Sequence, residues 1–133
     1  MSESRDELRE QRLTASNIKY LIAMLNLGGD AENVRGTDIA NLLGITKPSA
    51  HTMLCNLAKM DLVRKDRYGG ASFTELGLET AIRYDGYYEA LKSSFDGLFT
   101  DEESSFAPIC ALIAEMCQED LDRLREDSSP ERT

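Results

Sequence analysis

The stretch VRGTDIANLLGITKPSAHTMLCNLAKMDLV, residues 34–63, decides how this chain of 133 residues folds. Ile39, Ala40, Leu42 and Leu43 recur at helical spacing, with Thr37 placed to cap them and Gly44 placed to end them. After Ile45, Thr46 caps again, and Pro48 sits in a first turn, where its missing N–H costs no hydrogen bond. Ala50, Met53, Leu54 and Leu57 form a second apolar stripe. Two short helices joined by a glycine-containing turn, the second opening on a cap and a proline, predict a helix-turn-helix.

On the carboxy-terminal side, Leu62 to Asp66 reads as a short strand, Arg67-Tyr68-Gly69-Gly70 as a turn and Ala71-Ser72-Phe73 as the returning strand. A two-stranded β-hairpin directly after the second helix is a wing. Thr74 then caps a long helix whose apolar positions include Leu76, Leu78, Ala81, Ile82 and Leu91, with Gly77 and Gly86 as weak points. Phe95 to Phe99 is a break. Thr100-Asp101-Glu102-Glu103 opens a last helix running through Ile109, Leu112, Ile113, Met116, Leu121 and Leu124, its acidic residues suited to a positive helix end. On the amino-terminal side, Thr14 or Ser16 caps a helix carrying Ile18, Leu21, Ile22, Leu25 and Leu27, and Gly28-Gly29-Asp30 stops it before a loop over residues 33–36. The fold class expected is mainly α, a winged helix-turn-helix with carboxy-terminal dimerisation helices. Its divisions are a winged unit over residues 1–74 with a charged extension at 1–13, a helical dimerisation and effector region at 75–127, and a disordered tail at 128–133.

Charge first argues against a nucleic-acid partner, because 24 Asp and Glu face 15 Lys and Arg for a net −9. The imbalance is not uniform. Residues 1–34 carry −2, residues 35–92 carry +1 and residues 93–133 carry −8. Within the middle, Lys47, Lys59, Arg64, Lys65 and Arg67 stand against Asp61 and Asp66, a local +3. The local field decides whether a face can approach phosphates. A helix-turn-helix offers its second helix to the major groove. Thr46, Ser49, Thr52 and Asn56, together with Pro48 in the opening turn, are therefore placed at base edges or phosphates, and Lys47 and Lys59 at phosphates. Lys65 and Arg67 of the wing would grip the backbone or adjacent minor groove.

Residues 17–124 resemble the metal-dependent repressors of the diphtheria toxin repressor and manganese transport regulator family. The likeness rests on NIKYLIAML, on the 34–63 stretch quoted above, on the wing and exit RKDRYGGASFTELG, and on the later DEESS and DLDRL segments. It implies a homodimeric repressor of the smaller architecture that binds double-stranded DNA and answers to Mn²⁺ or Fe²⁺. The metal-ligand positions it implies fall, without gaps, on Asn17, Tyr20, Tyr88, Cys110, Ile113 and Ala114. Of these, Cys110 alone keeps a ligand-capable type, and one thiol cannot replace an oxygen and imidazole cage. The expectation is a degenerate metal site with no metal ligands and no assigned cofactor. Asn17, Tyr20, Tyr88 and Cys110 are left as a candidate effector region, while a gapped alignment brings in Asp85, Glu89, Glu115 or Cys117 instead.

Two alternatives stay open. One is a regulator of the multiple-antibiotic-resistance type, answering a small organic ligand near Tyr84, Tyr87, Tyr88 and Phe95 or thiol oxidation at Cys55, Cys110 or Cys117. Cys110 and Cys117 fall about 10 Å apart along one helix, too far to pair within the chain. The other is a winged-helix protein-interaction module. An enzyme is not expected: there is no phosphate-cradling glycine loop, no nucleophile elbow, and a single histidine, His51. No stretch approaches the roughly 20 apolar residues of a membrane span. The charged first ten residues and three unpaired cysteines suit the cytoplasm.

Overall fold

The computed structural model describes residues 13–28 and 33–127. The expected charged extension, apart from Leu13, and the expected tail lie outside the described residues. Helix α1 (Ala15–Asn26) opens on a capping box: Thr14 Oγ1 accepts from Asn17 N, and Asn17 Oδ1 accepts from Thr14 N. It buries Ile18, Tyr20, Leu21, Ile22, Ala23 and Met24, almost its whole circumference, because it runs between the other helices. It packs on α2 (Gly36–Leu43) and α3 (Lys47–Lys59) of the helix-turn-helix, and on α4 (Glu75–Ser94) and α5 (Glu102–Glu115) of the carboxy-terminal part.

Gly44, at φ 67°, makes the left-handed turn between α2 and α3. Thr46 Oγ1 accepts from Ser49 N at 3.2 Å, and α3 turns Ala50, Leu54 and Leu57 inward. Helix α2 departs from expectation at its start. It begins at Gly36, and no side chain caps it. Its first amide, Gly36 N, instead donates to Gly69 O of the wing at 2.9 Å, so Thr37 is not needed as a cap.

The wing is larger than a hairpin. Strand β1 (Val34–Arg35), expected as loop, pairs antiparallel with β3 (Gly70–Phe73), which also pairs with β2 (Val63–Lys65), giving the order β1-β3-β2. The two-stranded expectation is corrected to three. Two extended residues are too short to leave an alternating pattern, and β1 exists because β3 has a free edge.

The connection from α3 into the wing and onward to α4 is closed by backbone. Asp61 is left-handed at φ 65°, with Asp61 N donating to Ala58 O and Leu62 N to Leu57 O, the two bonds of a Schellman ending. Thr74 N donates to Leu62 O at 3.1 Å, Thr74 Oγ1 donates to Asp61 O at 2.7 Å, and the same oxygen accepts Gly77 N at 2.9 Å. Gly77 lies directly on this turn: a Cβ there would stand 1.7 Å from Leu62 O. Gly77 is therefore a packing position, not a weak point. Gly86 differs: a Cβ there would make only an ordinary 3.4 Å contact with the flexible Arg125 side chain.

The last expected helix is two helices, α5 and α6 (Gln118–Asp127). Met116 is extended, at ψ 149°, and ends α5. The apolar positions explain the break. Ile109, Ile113 and Met116 keep a helical period, and its continuation would turn Asp120 inward. A new helix brings Leu121 into the core instead. Cys110 and Cys117 consequently do not share a helix: Cys110 is buried in α5, and Cys117 is exposed in the break. Helix α6 is held to α4 by Tyr87, whose hydroxyl donates to Asp122 Oδ1 at 2.9 Å and accepts from Gln118 Nε2 at 2.7 Å.

The closed turn gives opposite expectations for two glycine exchanges. Gly77→Ala must displace a backbone carbonyl and lowers unfolding free energy by about 3 kcal/mol or more. Asp61→Gly relieves a left-handed residue and raises it by roughly 0.5 kcal/mol. Urea titration of the two variants measures both.

Candidate nucleic-acid interface

The outward side of α3 displays Thr46, Lys47, Pro48, Ser49, Thr52, Asn56 and Lys59, all exposed, and Lys65 and Arg67 are exposed on the wing. Thr46 and Ser49 have a structural task as well, since Thr46 Oγ1 also donates to Ser49 Oγ at 2.9 Å within the cap. Lys65 reaches across from β2 and donates to Cys55 Sγ at 3.1 Å, and Cys55 Sγ lies 3.6 Å from His51 Nε2 one helical turn earlier. This contact joins the root of the wing to α3. Arg64, counted in the local charge but given no contact by the sequence reading, and Arg35 and Tyr68, which it did not assign to a site, are also exposed. Arg64 lies on the edge strand β2, with its side chain exposed. Arg35 joins the surface through β1, which had left no signal.

The two acidic residues of this basic segment have structural work. Asp61 forms the left-handed end of α3. The Asp66 carboxylate organises the wing turn: Oδ1 accepts from Tyr68 N and from Gly70 N, both at 2.8 Å, and Oδ2 accepts from Asn33 Nδ2 at 2.7 Å. Its charge is thus spread over three donors. Of the exposed acids, Glu102, Glu103, Glu115, Glu119, Asp120, Asp122 and Glu126 lie on α5 and α6, while Asp38, Asp61, Glu75, Glu79, Glu89, Asp96 and Asp101 are exposed elsewhere.

The four residues singled out as an effector region divide into two pairs. Asn17 and Tyr20 face α3: Asn17 Nδ2 contacts Met53 Sδ at 3.1 Å, and the Tyr20 hydroxyl donates to Ala50 O at 3.4 Å. Tyr88 and Cys110 lie on the α4–α5 side, where the Tyr88 ring packs edge-on against Phe106 with Lys92 over its face. Lys92 also bonds Glu102 and pairs with Glu89 at 3.4 Å. All four are buried. Burial pushes the Tyr20 hydroxyl up to about 12, and the Cys110 thiol up to about 12 against a small opposing effect of Lys19. Of the residues a gapped alignment brings in, Asp85 is held above the usual carboxylate range by burial and by Glu89, with Lys92 opposing. Among the described residues, no three His, Cys, Asp or Glu side chains converge as a metal site would require. Tyr84 and Tyr87 stack edge-on at 5.1 Å, and Phe95 meets Phe99 at 6.4 Å, so these rings pack on one another.

Residues 7–80, from the amino-terminal segment through α1, the helix-turn-helix, the wing and the first turn of α4, match the profile of a family described as Domain of unknown function (DUF8462). The chain belongs to that family. Among curated proteins none matches significantly. Among solved structures, the manganese regulator SloR superposes with a TM-score of 0.65 at 18% identity, over 84% of this chain and 52% of its own. IdeR of T. acidophilum gives 0.61 at 17% identity, over 83% and 52%. A hypothetical protein from Sulfolobus solfataricus gives 0.59 at 16% identity, over 86% and 88%. At these identities the likeness is one of fold, and this chain spans about half the length of the two regulators. The family match ends six residues into α4 and contains every residue of the exposed face described above. Among the described residues, no helix is long and apolar enough to cross a membrane.

Two outcomes follow. Asp66→Ala, which removes the acceptor of three donors of which Gly70 N is the part-buried one, lowers stability by about 1 kcal/mol and deprotects the amides of the wing turn first, as amide hydrogen exchange measures. Because burial holds Cys110 and Tyr20 above their ordinary values, the folded state keeps protons that the unfolded chain releases. Stability therefore falls as pH rises from about 9 towards 12. Iodoacetamide at neutral pH should label Cys117 in the native protein and leave Cys110 intact until denaturant is added.

Proposed function

We propose that this chain is a DNA-binding transcriptional regulator, acting as a homodimeric repressor whose signal is not a metal held at the positions its resemblance implies. The observation that carries the reading is that Lys47, Lys59, Thr46, Ser49, Thr52 and Asn56 at α3 and Arg64, Lys65 and Arg67 on the wing are each exposed, that Lys65 bonds Cys55 so that the wing adjoins α3, and that the Asp66 carboxylate is bonded by the Tyr68 and Gly70 amides. Hydroxyl and amide side chains on an exposed helix suit base edges, and the cations around them suit phosphates. The fold shared with IdeR and with SloR, a manganese regulator, supports the class of function.

A second copy is proposed to pack on the outer face of α5, where Ala107, Pro108, Ala111 and Leu112 are exposed and uncharged. Two α3 helices related by a two-fold axis would read a symmetric operator in consecutive major grooves. The residues at the implied metal positions do not fit a divalent cation. The Asn17 carbonyl oxygen is used by Thr14 N, Cys110 must lose a proton that burial retains, and Ile113 and Ala114 offer no donor. What these positions supply instead is core packing between α1, α4 and α5.

Fluorescence anisotropy on random-sequence duplex between low and moderate salt tests the reading. Log K should fall linearly with log salt, and Lys47→Ala, Lys59→Ala or Arg67→Ala should each shallow the slope by about 0.9 per phosphate contact removed. Absence of binding even at low salt would defeat the proposal. Leu112→Glu should convert dimer to monomer in sedimentation and weaken operator binding more than about tenfold.

A further inference from the structure

The turn that closes the wing is tied down on two sides. Asp66 N donates to Gly70 O at 3.0 Å, and the Asp66 carboxylate takes the amides of Tyr68 and Gly70 and the side chain of Asn33. Gly36 N, the first amide of α2, donates to Gly69 O, and a Cβ at Gly36 would stand 2.9 Å from that same oxygen. The wing tip is therefore bonded to the helix-turn-helix itself, and its distance from α3 is set by the fold. From this tip project Arg67 and Tyr68, the latter 86% exposed. Every other aromatic ring of the chain is buried or half-buried. An exposed ring on a fixed backbone, beside Arg67 and with Lys65 at the base of the same turn, matches a partner that is anionic and also presents apolar faces. The minor groove of a duplex has both, phosphates along its edges and deoxyribose rings along its walls.

We propose that Tyr68 is a specificity-determining contact: the wing tip enters the minor groove flanking the site of α3, Arg67 inside the groove and the Tyr68 ring against a deoxyribose, and it selects narrow, A·T-rich flanks. The inference rests on the reading of α3 and the wing as a DNA-binding face. Narrow A·T grooves concentrate negative potential where an arginine sits, and the guanine N2 amino group obstructs the floor of a G·C groove. A wing free to swing would adjust to either width. A wing held by Asp66, Asn33 and Gly36 cannot, so groove width becomes a difference in affinity rather than a difference in pose. Asp66 and Asn33 act here as positioning residues.

The test begins with duplexes selected by the full chain from a library with a random core, then compares flanks of A·T, G·C and inosine·C pairs. Inosine lacks the minor-groove amino group and leaves the other base-edge groups in place. Wild type should prefer A·T and inosine·C flanks over G·C by about tenfold. Tyr68→Ala and Arg67→Ala should bind the three equally, and Tyr68→Phe should retain the preference. Hydroxyl-radical footprints should lose the flanking minor-groove protection in Tyr68→Ala while the central protection persists. If no duplex is selected even near 50 mM salt, the DNA-binding reading fails and this inference with it. If duplexes are selected but wild type ignores the flanks, or Tyr68→Ala keeps the preference, this inference alone is overturned.

Discussion

The carbonyl of Leu62 and its neighbour at Asp61 hold this molecule in its working shape. Thr74 takes both, one through its amide and one through its hydroxyl, and Gly77 closes over them at a distance no side chain tolerates. One short segment thus fixes where α3 ends, at what angle the wing leaves it, and where α4 begins. Thr74, the cap of α4, mediates the junction: its amide and hydroxyl take the Leu62 and Asp61 carbonyls of the α3 turn, and its hydroxyl oxygen accepts the first-turn amide of Gly77. The tie between Gly36 and Gly69 does the same work at the other end of the wing. Both ends of the wing are thus joined by backbone bonds to the helix-turn-helix or its exit.

Electrostatics is arranged by element, not by balance across the chain. The net −9 resides mostly on α5 and α6, whose exposed carboxylates are solvated, while the α3 and wing surface carries a local excess of cations. That excess already counts Asp61, the left-handed residue of a helix end, and Asp66, whose carboxylate accepts from the amides of the wing turn. The acidity of the remainder confines any approach to phosphate to one edge of the molecule.

Positions that a resemblance assigns to metal sensing are occupied by groups that fill space. Tyr20 spans from α1 to the α3 backbone, Cys110 and Ile113 are fully buried in α5, and Tyr88 lies between Phe106 and Lys92. These contacts tie the amino-terminal helix to both halves of the fold.

Local pattern determined the helix-turn-helix, the Thr46 and Thr74 caps, the existence of a wing and the exposed residues of α3. Each depends on contacts within a few residues, which periodicity and capping chemistry record directly. The third strand, the true start of α2, the break at Met116 and the role of Gly77 were decided only by tertiary structure. In three of these a backbone group meets its neighbour far along the chain: Val34 beside Ala71, Gly36 N on Gly69 O, and Leu62 O under Gly77; the break at Met116 depends on which apolar side chains reach the core. Backbone partners carry no side-chain signature, so nothing in the residue pattern could announce them. The charge that first seemed to exclude a nucleic-acid partner follows the same division. Its amount and its place along the chain are properties of the sequence, whereas which carboxylates are already committed to amides is a property of the fold.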